Sequence, residues 1–128
     1  MVSGAFMFFD AKKFEDVGGF DPNIFLFYEE MDICQRLKHK GYTTVFYPDS
    51  SFTHYQGKSS GSISMKNELT ISYLYVIQKN YAYWYYLTIR TVMLIKYGVK
   101  SIYKSKKYRT PFLIVLKGGN SLVYSIKP

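Results

Sequence analysis

The 128-residue sequence predicts an α/β arrangement in its first half, followed by a helical tail. In the first half, short aromatic and β-branched runs that are typical of buried strands alternate with segments whose apolar residues recur at helical spacing. In the second half, residues 69–79 and 82–97 contain neither proline nor glycine and are apolar on nearly every side, which favours helices covered by something other than water. We therefore divide the chain into an α/β unit over residues 1–64 and a tail over residues 65–128.

The charge of the chain changes near the same boundary. All nine acidic residues lie at or before Glu68, and residues 1–68 also carry seven Lys or Arg. Residues 69–128 carry ten Lys or Arg and no acid. The net charge of +8 therefore resides in the tail, which should seek an anionic partner or surface. The single cysteine, Cys34, excludes an internal disulfide framework and a multi-cysteine zinc site.

The first predicted elements are a strand and a short helix. Residues 3–9 (SGAFMFF) form an apolar, aromatic run that predicts a buried strand. Asp10 then provides an N-cap for a helix over residues 11–17. Gly18 and Gly19 end this helix, because glycine readily adopts the left-handed conformation that follows a helix C-terminus.

The clearest helix lies in the segment EEMDICQRLKHKG, which starts at Glu29 and ends at Gly41. Its apolar residues recur at spacing three, its first turn is acidic and its last turn is basic, so both ends complement the helix dipole. Residues 42–47 (YTTVFY) and 52–55 predict two further strands, and residues 56–64 a polar loop. In the tail, residues 101–109 (SIYKSKKYR) indicate a basic turn or linker, and residues 122–126 a short C-terminal piece.

Four residues stand out as candidates for chemistry. Glu29, Glu30 and Asp32 crowd a predicted helix start, and His54 ends a predicted strand. Carboxylates at a helix N-terminus serve as caps and dipole partners, but three of them after an aromatic run exceed what a cap needs. Such a carboxylate can act as a general base, hold a metal or bind a sugar hydroxyl. A lone histidine on a strand is more often a packed residue than a ligand.

The order of motifs over Val2 to Ser60 resembles family-2 glycosyltransferases, which have the GT-A fold and include rhamnosyltransferase-like enzymes of bacterial polysaccharide synthesis. The matching pattern is GAFM, then FEDVGGFD, then an aromatic run with EEMDICQR, then GY, a predicted strand, and a histidine followed by glycine and serine. The match covers the acceptor-side half of the family's domain. The fold class so implied is a partial GT-A fold, its C-terminal half, followed by the helical tail.

The resemblance implies roles for individual residues. Glu30 occupies the position of the family's catalytic base, which is normally an aspartate, and Glu29 precedes it. Asp32 and Arg36 match the D-x-C-x-R part of the motif, where they either contact substrate or form a structural ion pair at spacing four. The remaining matches are His54 near the donor diphosphate and its metal, Gly4 and Ala5 beside the donor sugar, and Lys58, Ser59 and Ser60 in a loop over the nucleotide.

The implied reaction is inverting sugar transfer from a nucleotide-sugar donor to a saccharide or lipid-linked acceptor, assisted by Mg²⁺ or Mn²⁺ at the diphosphate. The sequence contains no D-x-D motif, which the family carries in its nucleotide-binding half. We therefore expect a C-terminal fragment that is inactive alone, or one subunit of a split enzyme whose donor-binding half is encoded separately. Calorimetry of the isolated chain is expected to show no saturable, metal-dependent binding of nucleotide sugar.

The tail leaves several partners open. Its tyrosines and Trp84 lie among basic residues, a composition that favours the membrane–water interface and anionic lipid headgroups. The same aromatics would also pack on a separate donor-binding half or on a second copy in a homo-oligomer. Nucleic acid is the weakest alternative, because the basic residues cluster only over 104–109 and no nucleic-acid motif is present. We expect a cytoplasmic protein, peripheral on the inner face of the cell membrane.

Overall fold

The computed structural model describes residues 4–49, 51–53 and 63–118, and all regular structure in these ranges is helical. The helices are α1 Ala11–Asp16, α2 Glu29–His39, α3 Ile63–Asn80, α4 Tyr83–Tyr103 and α5 Ser105–Lys117. The helical tail is therefore confirmed within these ranges. The α/β prediction is not, since no strand forms among the described residues.

Both short-range helix predictions of the first half are confirmed. The Asp10 carboxylate accepts the backbone N–H of Lys13 at 3.1 Å and caps α1. Gly18 and Gly19 follow α1 with φ of 79° and 65°. A Cβ on Gly19 would also lie 3.3 Å from the Phe14 ring, so a side chain there meets both backbone strain and close packing.

The strands predicted over residues 3–9, 42–47 and 52–55 are wrong wherever the structure describes them. These segments are irregular and carry exposed apolar side chains, including Phe8 at 88% and Phe46 at 77% of full exposure. Aromatic contacts hold them instead: Phe6 lies 5.1 Å from Phe52 between ring centroids. A β-strand is stable only with a hydrogen-bonded neighbour, so propensity alone forms none.

The second half is a layer of three helices around one apolar core. The core side chains come from α3, α4 and α5 and are Ile71, Leu74, Ile77, Tyr86, Ile114 and Val115. Helices α4 and α5 are antiparallel, since Arg90 donates to the Val115 carbonyl at 3.0 Å and, further along α4, Tyr97 stacks on the earlier α5 residue Tyr108. On the other side of α3, the Ser72 hydroxyl donates to the Leu26 carbonyl at 2.7 Å and fixes the segment that precedes α2.

The basic turn or linker predicted over residues 101–109 is reduced to a one-residue turn, and the rest of this range is helical. Residues 101–103 continue α4, a single non-helical residue, Lys104, makes the turn, and residues 105–109 begin α5. Helix α5 then runs through Pro111, whose ring is buried in the packed interface. Tertiary packing of Ile114 and Val115 thus outweighs the low helix propensity of proline. The predicted C-terminal piece at 122–126 lies outside the described residues.

One face of α4 remains uncovered. Its exposed apolar side chains recur over five turns and are Trp84, Leu87, Val92, Ile95, Val99 and Ile102, with Trp84 at 70% and Ile102 at 77% of full exposure. We call this set the α4 apolar face. Among the described helices, none combines the length and the apolar content that a membrane span requires.

Candidate active site

An open cleft of about 460 Å³ lies at the N-terminus of α2. Its lining residues are Gly4, Ala5, Leu26, Phe27, Tyr28, Glu29, Glu30 and Leu69. We call it the α2 cleft. It brings together four of the residues that the sequence selected, two small residues from the N-terminal segment and the two glutamates that begin α2.

The Glu30 side chain lies directly against Gly4. A Cβ built on Gly4 would approach Glu30 Oε2 to 3.2 Å and Glu30 Cβ to 3.4 Å. A side chain at position 4 would therefore shift this carboxylate by a few tenths of an ångström from its place at the cleft wall. Beside it, Glu29 Oε2 is buried and has no hydrogen-bond partner within the described ranges. A buried, unpaired carboxylate oxygen is unfavourable, and a ligand hydroxyl or N–H group in the cleft would satisfy it.

The backbone before the two glutamates is strained. Phe27 and Tyr28 both have left-handed dihedrals, with φ of 68° and 66°. Non-glycine residues seldom adopt this conformation, and it costs about 1–2 kcal/mol at each position. Tyr28 is the N-cap of α2 but makes no side-chain capping bond, so this turn orients the helix start rather than capping it. Strain of this kind commonly accompanies a functional site.

Tyr28 closes the cleft on the side of α3. Its ring lies 5.1 Å from that of Tyr73 between centroids. Burial, and then the neighbouring hydroxyls of Tyr73 and Tyr97 and the charge of Glu30, raise the pKa of Tyr28 above its ordinary value. Tyr28 therefore stays a neutral phenol near Glu30, able to donate a hydrogen bond to a group bound in the cleft.

Asp32 points away from the cleft, into the protein. It is 0% exposed, and its Oδ2 accepts Arg36 Nε at 2.8 Å and pairs with Arg36 Nη2 at 2.7 Å. Its Oδ1 accepts Asn80 Nδ2 at 2.8 Å and pairs with Lys79 Nζ at 2.9 Å. The ion pair expected at spacing four is present, and the carboxylate has no oxygen left for a substrate. This geometry favours a positioning role.

Arg36 extends the same network to the turn after α1. Its guanidinium donates to the carbonyls of Val17 and Gly19, the latter at 2.6 Å. One arginine thus links the α1 turn to α2, and Lys79 and Asn80 add the end of α3. Sequence reasoning missed Lys79 and Asn80, since they lie almost 50 positions from Asp32 and no local pattern signals them.

Lys79 also pairs with Asp21 at 2.7 Å, where the Tyr75 hydroxyl donates at 2.8 Å. Burial alone would raise the pKa of Asp21, but the hydrogen bonds from Lys79, the Asn23 backbone and Tyr75, with the charge of Lys79, lower it to about 2. For Lys79, burial opposes the charged form, and the two carboxylates overcome it and raise its pKa. Asp21 and Lys79 are therefore both charged at neutral pH, and their ion pair joins the contacts that fix α2.

The other selected residues do not enter this geometry. His54, Lys58, Ser59 and Ser60 lie outside the described residues. Within the ranges that are described, no group of three or more His, Cys, Asp or Glu side chains is placed to hold a metal ion. The lining of the α2 cleft supplies two carboxylates, and the Mg²⁺ or Mn²⁺ site, which the sequence predicts together with the nucleotide-binding half, stays a prediction.

An open cleft with an oriented carboxylate, a neutral phenol and a second carboxylate oxygen is suited to binding a hydroxyl compound and removing a proton from it. The chain matches the model of glycosyl transferase family group 2 over residues 1–124. It therefore belongs to that family, as its motifs indicate.

Two curated relatives share a name, N-acetylglucosaminyl-diphospho-decaprenol L-rhamnosyltransferase, in two strains of Mycobacterium tuberculosis. Each is 32% identical over 60 residues, which are 47% of this chain and 20% of the relative. The matched part thus spans about a fifth of the length of these relatives. No solved structure gives a significant match.

Proposed function

We propose that the chain provides the acceptor side of a glycosyltransferase that moves a sugar from a nucleotide-sugar donor to a saccharide or lipid-linked acceptor. Glu30 acts as the general base and deprotonates the attacking hydroxyl, which displaces the nucleoside diphosphate with inversion at the anomeric carbon. The observation that carries this proposal is the contact of Glu30 with Gly4 in an open cleft. The relatives' printed name, a transferase acting on a diphospho-decaprenol-linked saccharide, supports a lipid-linked acceptor.

The other cleft residues serve this reaction by binding and orientation. Glu29 Oε2 accepts a second hydroxyl of the acceptor sugar, which satisfies its unpaired buried oxygen. The Phe27–Tyr28 turn and the Asp32 network fix α2, and through it the direction of the Glu30 carboxylate. The divalent cation stays a proposal as well, and its ligands would have to come largely from outside the described ranges, where His54 lies.

The test replaces Glu30 in the cells from which the chain comes. The chromosomal copy is deleted, full-length variants are supplied, and incorporation of labelled sugar into membrane glycans is measured. Glu30→Gln keeps the size and polarity of the side chain but removes its basicity, so incorporation should fall at least about 100-fold. Glu15→Gln, on the exposed face of α1, is the matched control and should restore full incorporation.

Two results would contradict the proposal. Full incorporation with Glu30→Gln would remove Glu30 as the base. Unchanged incorporation after deletion of the chain itself would refute glycosyl transfer as its function.

A second role, attachment to an anionic membrane surface, is favoured by the α4 apolar face. From Trp84 to Ile102 this face extends about 27 Å along the helix at 1.5 Å per residue. An amphipathic helix of this kind inserts its apolar side into the headgroup boundary, with tryptophan at the interface. The ten basic residues and the lack of acids over 69–128 make an anionic lipid surface the complementary partner.

Vesicle flotation tests the attachment. The 128-residue chain should float with phosphatidylglycerol vesicles, and the Ile95→Asp/Val99→Asp variant should lose most of this binding. Val45→Asp, which alters an equally exposed apolar residue of the first half, is the control and should float like the original chain. Equal flotation of both variants would show that α4 does not lie on the membrane, and a partner protein would then be the better explanation of its apolar face.

A further inference from the structure

Three lysines from three different helices converge on one aromatic ring. The ammonium groups of Lys100 on α4, Lys66 on α3 and Lys107 on α5 lie 5.4, 5.7 and 5.9 Å from the ring centroid of Tyr108. We call this group the Tyr108 lysine cluster. Residues 41 positions apart in sequence thus place three positive charges around a single site, which is a property of the tertiary fold.

Among the described residues, no acidic side chain forms an ion pair with this cluster. The ion pairs formed among the described residues use Asp16, Asp21 and Asp32, and none of them reaches the three lysines. The faces of aromatic rings attract cations only weakly at exposed positions, by about 0.5–1 kcal/mol. The ring therefore gathers the ammonium groups without cancelling their charge.

Mutual repulsion within the cluster is visible in one of its members. The pKa of Lys66 is lowered, first by the direct approach of Lys107, then by desolvation and by the charges of Lys107 and Lys100. An ammonium group has no acceptor atom, so two of them at this range repel each other while both are protonated. A bound anion would replace this repulsion with charge-assisted hydrogen bonds.

The cluster adjoins the α2 cleft. Lys66 precedes Leu69, which lines the cleft, by three residues, or about 4.5 Å along α3. Tyr97 stacks on Tyr108, with ring centroids 6.2 Å apart, and its hydroxyl lies 3.5 Å from the Thr70 hydroxyl. Tyr97 is also one of the groups that raise the pKa of Tyr28 at the cleft wall. Tyr108, Tyr97 and Thr70 thus lie between the lysines and the wall of the cleft.

We propose that Lys66, Lys100 and Lys107 form a binding site for a diphosphate group. Three ammonium groups on separate helices match the several charged oxygens of a diphosphate better than the single charge of a carboxylate, and lysine binds phosphate as a point charge without demanding planar geometry. The diphosphate that links a lipid to a saccharide would then sit one helical turn from the cleft. That last step rests on the proposed function, whereas the site itself does not.

Calorimetric titration of the purified 128-residue chain with inorganic diphosphate tests the site. Saturable binding of one diphosphate per chain is expected, tighter than that of inorganic phosphate. Lys100→Gln and Lys107→Gln should each weaken it about tenfold or more, since each removes a charge-assisted contact. Lys106→Gln is the matched control, with the same charge change on the same helix but no position over the Tyr108 ring, and should weaken binding less than about threefold.

Two comparisons make the outcome decisive. Equal weakening by Lys106→Gln and Lys107→Gln, or no saturable diphosphate binding, would overturn the site in favour of diffuse surface charge. With phosphatidylglycerol vesicles, displacement by diphosphate would support the site and identify lipid headgroups as a second source of its phosphate. No sugar transfer is measured, so failure here leaves the proposed function untouched, and failure of the Glu30 test leaves the diphosphate site untouched.

Discussion

The Asp32 network allows a quantitative test of what holds the site together. Asp32→Asn keeps the shape of the side chain but removes its charge and replaces one acceptor oxygen with an N–H₂ group that faces cationic donors. The carboxylate is fully buried and is contacted by Arg36, Lys79 and Asn80 at 2.7–2.9 Å. Breaking such a buried pair from one side costs about 3–5 kcal/mol. Because asparagine retains one acceptor, we expect about 3 kcal/mol.

Urea unfolding followed by circular dichroism at 222 nm measures this loss. With a slope of about 2 kcal/mol per molar urea, the midpoint should fall by about 1.5 M. The control is Asp16→Asn, which breaks the exposed pair with Lys40 at 3.3 Å and should cost less than about 1 kcal/mol. If the two variants differ by less than 1 kcal/mol, the buried network does not stabilise the α2 region as its geometry indicates.

Three further predictions concern pH and backbone conformation. The folded-state pKa of Asp21 is lowered from 3.8 to about 2. Its contribution to stability is therefore fully present above pH 3.8 and is lost as the pH falls through about 2. The Asp21→Asn variant should show a smaller decline of Tm across this acid range. The pKa of Lys79 is raised in the folded state, so its contribution to stability is present below pH 10.5 and is lost as the pH rises through the folded-state pKa. The Tm of the original chain should therefore fall more steeply at alkaline pH than the Tm of Lys79→Met. Gly118→Ala should destabilise the chain more than Gly41→Ala. Both glycines have positive φ, but of the two only Gly118 would place the new Cβ 2.8 Å from Arg90 and Tyr86. Equal unfolding midpoints of the two variants in urea would contradict this packing argument.

Local signals in the sequence predicted the helices of the first half correctly. Asp10 as a cap and the acidic-to-basic gradient from Glu29 to His39 act within one or two helical turns, so they can be read without knowing the fold. The strands failed because residues such as Val45 and Phe46 have high β-propensity but find no ladder partner among the described residues. Helix α5 was missed because Pro111 disfavours helix locally, while packing against α4 decides the outcome.

The candidate site likewise combines residues that sequence motifs selected with contacts that only the tertiary fold reveals. Family motifs were sufficient to place Glu29 and Glu30 together and to select Gly4, which touches Glu30 in space although 26 positions separate them. The partners of Asp32 and the Tyr108 lysine cluster were beyond reach, because they depend on how α3, α4 and α5 cross. The roles assigned to Glu30 and to the other site residues, including His54, Lys58 and Ser59 outside the described ranges, stay predictions.

The left-handed turn at Phe27 and Tyr28 suggests how rigidity is distributed in this molecule. Replacing Tyr28 with glycine would relax the dihedral angle, but it would also widen the set of directions along which α2 can leave the turn. A relaxed backbone would thus let the Glu30 carboxylate adopt several orientations, and fewer of them would be suited to accept the proton of a bound hydroxyl. At this turn, the backbone strain and the fixed direction of the carboxylate are consequences of the same left-handed conformation.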